Sequence, residues 1–182
     1  ADDGGSAWMS WLRAHTADAL VTDVPGFALF LAFGDCTPIL LCDPAHRVIA
    51  LVHAGWRGTA RGIVGRTLAV MGERFGTRPT EVLAGVGPAI GACCYAVSDE
   101  VPAAFAASPA TAATACFERR PDGRLFFDVA RSNEGQLRAA GVAGERIESS
   151  GYCTGCRTDL FYSHRVEPKP SGRFGVGIGM GT

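Results

Sequence analysis

Three short apolar runs, separated only by tight turns, constrain the fold of this chain more than any other feature. They occupy residues 27–33, 39–43 and 48–52, and they are rich in the β-branched and aromatic residues typical of buried strands. Because no helix separates them, the order of elements departs from a strict βαβ alternation. We therefore predict an α+β domain in which helices cover mixed β-sheets. A parallel, doubly wound α/β fold is the alternative.

The size, charge and cysteine content of the chain bound its class. With 182 residues, 47% of them hydrophobic, it can bury a full core, and a formal net charge of −1 implies no nucleic-acid partner. The apolar runs fall short of the ~18 residues that span a bilayer, so we expect no membrane association. Seven cysteines, an odd number, do not resemble a disulfide framework, which favours a reducing compartment and hence the cytoplasm.

A thiol and an imidazole follow the ends of two of the apolar runs. Cys36 comes after the first run, with Asp35 beside it, and His53 comes directly after the third run. If these two strands lie near each other in a sheet, their C-terminal ends bring all three side chains to one edge, where ligands tend to bind. Either residue alone is more commonly structural, but a thiolate and an imidazole together suit zinc well.

The residues after His53 predict a helix over 58–75. Its apolar residues recur at steps of three and four, Gly76 ends it, and Arg57 lies just before its first residue. The free N–H groups at that end and the guanidinium of Arg57 would suit an anion such as phosphate. The alternative is that Arg57 forms a surface salt bridge.

Two helices are predicted in the second half of the chain. One covers residues 98–107 with Ser98 as its N-cap, and the other follows Asp128, its N-cap, and ends at Gly141.

Four further cysteines occur in two pairs. Cys93 and Cys94 are adjacent, and because neighbouring side chains point in different directions in regular structure, we interpret them as packing residues. Cys153 and Cys156 form a lone C-x-x-C, which lacks the second pair that a ribbon-type structural zinc needs. We interpret Cys156 as incidental.

Five motifs, in order, resemble those of the laccase-domain family. They are HAGWRG with an upstream DC-x-P, GPAIGACCYAV, CT, YSHR and GRFG, and the resemblance covers residues 17–178. Proteins of this family were first described as multicopper polyphenol oxidases and are now regarded as zinc-dependent purine nucleoside phosphorylases with adenosine deaminase activity. The resemblance implies one compact catalytic domain at residues 17–182, after a lead-in at residues 1–16. It also implies small-molecule substrates: phosphate and a nucleoside such as adenosine, inosine or methylthioadenosine.

The resemblance implies a zinc site at Cys36 and His53. The family carries a further histidine ligand in a Gln-x-His segment, which nothing in this sequence matches. We expect that segment to lie upstream of Ala1, in a part of the protein that has been trimmed, and His15 is the alternative third ligand.

Four polar residues are candidates for substrate binding and proton transfer. Asp35 is our candidate for moving the proton, with hydrogen bonding to the backbone of its own turn as the alternative. Arg57 and Arg165 are expected to position phosphate as forked cations, and Ser163 is a further candidate for substrate contact.

Three other functions stay open. A copper-dependent polyphenol oxidase, or laccase, would need many histidine ligands, and the chain has four in all, which favours zinc. A metal-free hydrolase would use His53 to activate Cys36 as a nucleophile. A binding module without chemistry is the last alternative.

Overall fold

The three apolar runs form strands in a computed structural model that describes residues 17–167 and 170–181. Strands β3 and β4 pair as an antiparallel hairpin, and β1 pairs with the other edge of β4. The strands are β1 (Ala19–Thr22), β2 (Ala28–Phe33), β3 (Thr37–Asp43) and β4 (Val48–Ala54).

The central sheet is mixed. Its order is β1-β4-β3-β5-β9, with β5 at Leu83–Val86 and β9 at Ile147–Ser149. All neighbouring strands are antiparallel except β5 and β9, which run parallel. Strand β2 does not join this sheet, because it pairs with β10 (Phe174–Gly179) in a two-stranded ribbon. The α+β prediction is therefore confirmed.

Helices cover one face of the central sheet and the ribbon covers the other. The helices are α1 (Trp56–Ala60), α2 (Ile63–Phe75), α3 (Glu100–Ala106), α4 (Pro109–Ala112) and α5 (Val129–Ala139). Alternate residues of β4 face the two layers: Val52 packs in the core with Leu68 of α2, whereas Leu51 packs with Phe33 of the ribbon. Because β4 is buried on both faces, it reads as a continuous apolar run rather than an alternating one.

A third, smaller sheet lies beside the helices. Its order is β6-β8-β7, and the ring of Phe127 in β8 packs against those of Phe117 in β7 and Phe105 in α3. The strands are β6 (Ala96–Val97), β7 (Phe117–Arg119) and β8 (Leu125–Phe127).

The long helix predicted over residues 58–75 is wrong at its start. Two helices, α1 and α2, replace it, because Gly62 between them has a φ of 70°, a left-handed conformation that favours glycine. The predicted end is confirmed, since Gly76 caps α2 with a φ of 76°.

The two helices of the second half are confirmed in position. The first, α3, begins at Glu100 with Asp99 as its N-cap, so Ser98 was the wrong residue. Asp128 caps α5 as predicted, with its Oδ1 accepting from the backbone N–H of Arg131 at 2.9 Å. No helix in the described part of the chain is long and apolar enough to cross a membrane.

Candidate active site

The β3–β4 hairpin brings Cys36 and His53 to the same end of the central sheet. Cys36 directly precedes β3, and Pro38 near the start of that strand pairs with His53 near the end of β4. A Cβ atom added to Gly55 would lie only 2.9 Å from the Sγ atom of Cys36, so glycine is needed where these two segments of the chain approach each other. The sequence analysis expected β2 and β4 to bring Cys36 and His53 together. The antiparallel pairing of β3 with β4 does so instead.

His53 is held by a residue of β2 and by the residue that precedes β1. Its ring centroid lies 5.4 Å from that of Phe33 in β2, and its Nδ1 atom lies 3.1 Å from the Oδ1 atom of Asp18. An Nδ1–H donor to this carboxylate leaves the lone pair on Nε2, which is the arrangement usual for metal-ligating histidines. Asp18 was missed at the sequence level, because nothing in its local sequence marks it as a partner of His53.

The thiol of Cys36 is not poised as a free nucleophile. Burial, reinforced by the negative charge of Asp35, raises its pKa from 9.0 to about 11, although Arg173 acts in the opposite direction. Such a thiol stays protonated at neutral pH, and the thiolate is the nucleophilic form. The raised pKa disfavours Cys36 as the nucleophile of a metal-free hydrolase, which stays an alternative.

Asp35 joins three segments of the chain around the site. Its side chain is buried, and its Oδ1 atom accepts from the hydroxyls of Thr154 at 2.6 Å and Ser163 at 2.7 Å. Its Oδ2 atom accepts from the backbone N–H of Arg165 at 2.7 Å, and its carbonyl accepts from Ile90 at 2.9 Å. The carboxylate thus bonds distant segments rather than its own turn, and its role in proton transfer stays a prediction.

Ser163 lies beneath the site surface. Its side chain is fully buried, and its hydroxyl donates to Asp35. A substrate contact through this hydroxyl, which stays a prediction, would require that hydrogen bond to break.

The two predicted phosphate-binding arginines lie on the surface. Arg57 pairs with Glu100 at 3.2 Å, both side chains being more than 60% exposed, and its guanidinium lies 4.1 Å from the ring centroid of Trp56. Arg57 is the second residue of the short helix α1, so it lies at the start of that helix and not, as predicted, just before a long one. Its role in phosphate binding stays a prediction. Arg165 donates to the carbonyl of Ala96.

Tyr95 lies among the predicted site residues. Burial raises the pKa of its hydroxyl, and the positive charge of Arg165 acts in the opposite direction. The guanidinium of Arg165 lies 5.1 Å from the centroid of its ring. The ring also packs against a buried apolar cluster, with its centroid 6.2 Å from that of Phe127, and the sequence analysis assigned this residue no role.

His15, the alternative third ligand, and the lead-in at residues 1–16 lie outside the described residues. Their predicted roles stay predictions.

The two cysteine pairs form a cluster that the sequence analysis rejected. The Sγ atoms of Cys93, Cys94, Cys153 and Cys156 all lie within 4.8 Å of one another. The packing interpretation is confirmed for Cys94, which lies against a buried apolar cluster, and is wrong for Cys93, which is exposed. Both lie in a turn, where adjacent side chains can face the same point. The second pair that the C-x-x-C motif needs is therefore present. The sequence signal that could have predicted this cluster was the presence of two closely spaced cysteine pairs, Cys93-Cys94 and Cys153-x-x-Cys156, in one chain.

This α+β fold, with a thiol and an imidazole at one end of a strand hairpin, defines a domain with a candidate metal centre. The sequence pattern of the family described as multi-copper polyphenol oxidoreductase laccase matches residues 3–181, and the chain belongs to this family.

Several known proteins are similar to the chain. Purine nucleoside phosphorylase YlmD of Geobacillus stearothermophilus is 38% identical over 162 residues, which cover 89% of this chain and 59% of the relative. A protein named as an adenosine deaminase, from an unknown prokaryotic organism, is 35% identical over 164 residues, covering 88% of this chain and 61% of its own length. The chain therefore spans about three fifths of these relatives.

Solved structures agree with the fold. The crystal structure of YlmD from Geobacillus stearothermophilus gives a TM-score of 0.83 at 37% identity, covering 92% of this chain and 62% of that one. The hypothetical protein YfiH of Bacillus licheniformis gives a TM-score of 0.84 at 36% identity, covering 90% and 61%.

Proposed function

We propose that this chain forms part of a zinc-dependent enzyme that cleaves purine nucleosides with phosphate and deaminates adenosine. The observation that carries the proposal is the placement of Cys36 and His53 at one end of the β3–β4 hairpin, with Asp18 orienting the imidazole. The printed names of the relatives support the two reaction classes. Adenosine, inosine and methylthioadenosine are the proposed substrates, and the seven free cysteines support a cytoplasmic location.

The donor set fits zinc. Thiolate sulfur and neutral imidazole nitrogen are ordinary zinc ligands, and a catalytic site has three protein ligands and one open position. The third ligand would be His15 or a histidine on a preceding segment. Copper, which the family description suggests, is the second candidate, but four histidines in the chain are few for a multicopper oxidase.

The chemistry that zinc supplies when bound is the activation of water near neutral pH, which suits attack at C6 of adenosine. The chain's own groups would bind and orient the reactants. Arg57 and Arg165 would hold phosphate, with Arg57 exchanging Glu100 for the anion. Asp35 would keep the segments carrying Thr154 and Arg165 in place beside Cys36.

Product analysis tests this function. Adenosine would be incubated with the zinc-loaded chain, with and without phosphate, and chromatography would follow adenine, ribose 1-phosphate and inosine. We expect Cys36→Ala and His53→Ala each to lose both reactions by more than about a hundredfold, the loss seen when even a supporting group of a metal site is removed. Cys42→Ala, which removes another thiol associated with the hairpin, is the matched control and should keep both.

Normal turnover of adenosine by Cys36→Ala would contradict the proposal. Oxidation of phenols by the wild-type chain, without turnover of any nucleoside, would favour the copper enzyme instead.

A further inference from the structure

Four thiols that the proposed reaction does not use meet at one place on the surface. The Sγ atom of Cys156 lies 3.4 Å from that of Cys93 and 3.5 Å from that of Cys94, and Cys153 completes a group within 4.8 Å. Four sulfurs bound at ~2.3 Å in a tetrahedron around zinc lie about 3.8 Å apart. Disulfide-bonded sulfurs lie at roughly 2.05 Å. The spacing thus fits one shared metal ion better than a covalent pair.

The backbone holds the two cysteine-bearing loops together. Ala89 pairs with Cys153 in an isolated parallel bridge, and the carbonyl of Ala89 accepts from the N–H of Thr154 at 3.1 Å. The N–H of Gly91 donates to the Sγ atom of Cys153 at 3.3 Å, and the N–H of Cys156 donates to the carbonyl of Cys153 at 3.2 Å. The ligand positions therefore do not depend on flexible side chains alone.

Two further features suit a close-packed centre. A Cβ atom added to Gly155 would lie 2.9 Å from the Cβ atom of Cys94, so the C-x-x-C turn can pass this close only with glycine. Arg120 donates to the carbonyls of Ala92 at 2.9 Å and Cys93 at 3.3 Å. These two hydrogen bonds hold the turn that carries Cys93 and Cys94.

We propose that Cys93, Cys94, Cys153 and Cys156 bind a second zinc ion at a closed, structural site. A tetrahedral set of four soft thiolates selects zinc among the common divalent ions and leaves no open position for substrate. This site shares no residue with Cys36 and His53, so its metal content can be measured separately from the proposed nucleoside chemistry.

The cluster has a consequence for the candidate active site. Thr154 follows Cys153 directly, and its buried hydroxyl donates to Asp35, the neighbour of Cys36. A metal ion at the cluster would therefore fix the loop that positions Asp35.

Metal analysis in a background without the first site tests the proposal. The full chain carrying Cys36→Ala would be purified under reducing conditions without chelator, and its zinc and iron would be measured by mass spectrometry. We expect about one equivalent of zinc. Adding Cys156→Ser should weaken zinc binding by more than about a hundredfold, whereas adding Cys116→Ser, which removes a cysteine outside the cluster, should leave it unchanged.

Absence of zinc in the Cys36→Ala chain, iron in its place, or equal zinc after Cys156→Ser would overturn the proposal. A measurement on the unsubstituted chain guards against misfolded variants. Cys93 and Cys156 are exposed, so mapping of alkylated peptides should show both protected with zinc and both modified after chelation. Equal modification in the two states, or a disulfide within the cluster of protein isolated without oxidant, would contradict the site.

Discussion

The two thiol sites of this molecule are built in opposite ways. Cys36 and His53 belong to one hairpin, so local antiparallel pairing is enough to bring them to the same end of the sheet. The cysteine cluster joins two loops, and its members Cys93 and Cys156 are 63 residues apart in the chain. The comparison shows that residues brought together by one supersecondary unit lie close in the sequence, although the sequence analysis expected β2 and β4 to bring them together. A cluster made between loops depends on the whole fold.

The largest expected effect on stability comes from Asp35, whose carboxylate connects the segment of Cys36 with the loop of Cys153. Asp35 accepts hydrogen bonds from two buried hydroxyls, and Asp35→Ala would leave those groups unsatisfied. It would also place alanine at a φ of 81°, which favours glycine or asparagine. We expect the free energy of unfolding in urea to fall by about 3 kcal/mol or more.

Asp35→Asn is the matched control. It tolerates the same backbone conformation and keeps one acceptor, so we expect it to lose less than the alanine variant. Equal stability of Asp35→Ala and the wild-type chain would show that the two regions are not coupled through this carboxylate.

The second prediction concerns the reactivity of Cys36 without metal. Because its pKa is raised from 9.0 to about 11, the thiolate fraction at pH 7 should be roughly a hundredfold below that of an ordinary thiol. Alkylation of Cys36 by iodoacetamide, followed by peptide mass spectrometry, should therefore be slow at pH 7 and rise until about pH 11. Rapid alkylation at neutral pH in the metal-free chain would contradict this prediction and support the alternative function, a hydrolase with Cys36 as its nucleophile.

The sequence analysis succeeded where the determining contacts are local. Apolar runs, the Asp128 cap and Gly76 depend on neighbours within a few residues, and their predictions are confirmed. It failed at residues 58–62, because the apolar residues that mark the helix begin only after Gly62, and the predicted start was extended beyond them.

Long-range partners could not be predicted for a different reason. The contact of Asp18 with His53 depends on the pairing of β1 with β4, and that of Asp35 with Thr154 spans 119 residues. Neither acceptor carries a local signal, because an aspartate beside a turn hydrogen-bonds its own backbone in many proteins.

A third prediction concerns Asp18, which supports His53 and does not contact the cysteine cluster. Asp18→Ala should weaken zinc binding at the hairpin site by about tenfold, the lower end for a supporting carboxylate, since Asp18 is 67% exposed. The zinc affinity of the hairpin site would be measured by competition with a chelating dye, in a chain that also carries Cys156→Ser so that the cysteine cluster does not contribute. Asp23→Ala, which removes another exposed carboxylate, should have no effect, and an equal loss in both variants would contradict the role of Asp18.

The smallest effect is expected at Arg57. Its pair with Glu100 is exposed, so Arg57→Ala should change the free energy of unfolding by no more than about 0.5 kcal/mol. The same variant should raise the KM for phosphate in phosphorolysis and leave deamination unchanged. Glu100→Ala breaks the same ion pair but keeps the cation, so it should not raise that KM. An unchanged KM in Arg57→Ala would remove this residue from phosphate binding.

Anomalous scattering at the zinc absorption edge, from crystals of the zinc-loaded chain, tests the assignment of Cys36 and His53 most directly. We predict an anomalous peak about 2.3 Å from the Sγ atom of Cys36 and about 2.0–2.1 Å from the Nε2 atom of His53. A second peak is predicted among the four clustered cysteines. A map with a peak at the cluster and none between Cys36 and His53 would contradict the proposed reaction centre.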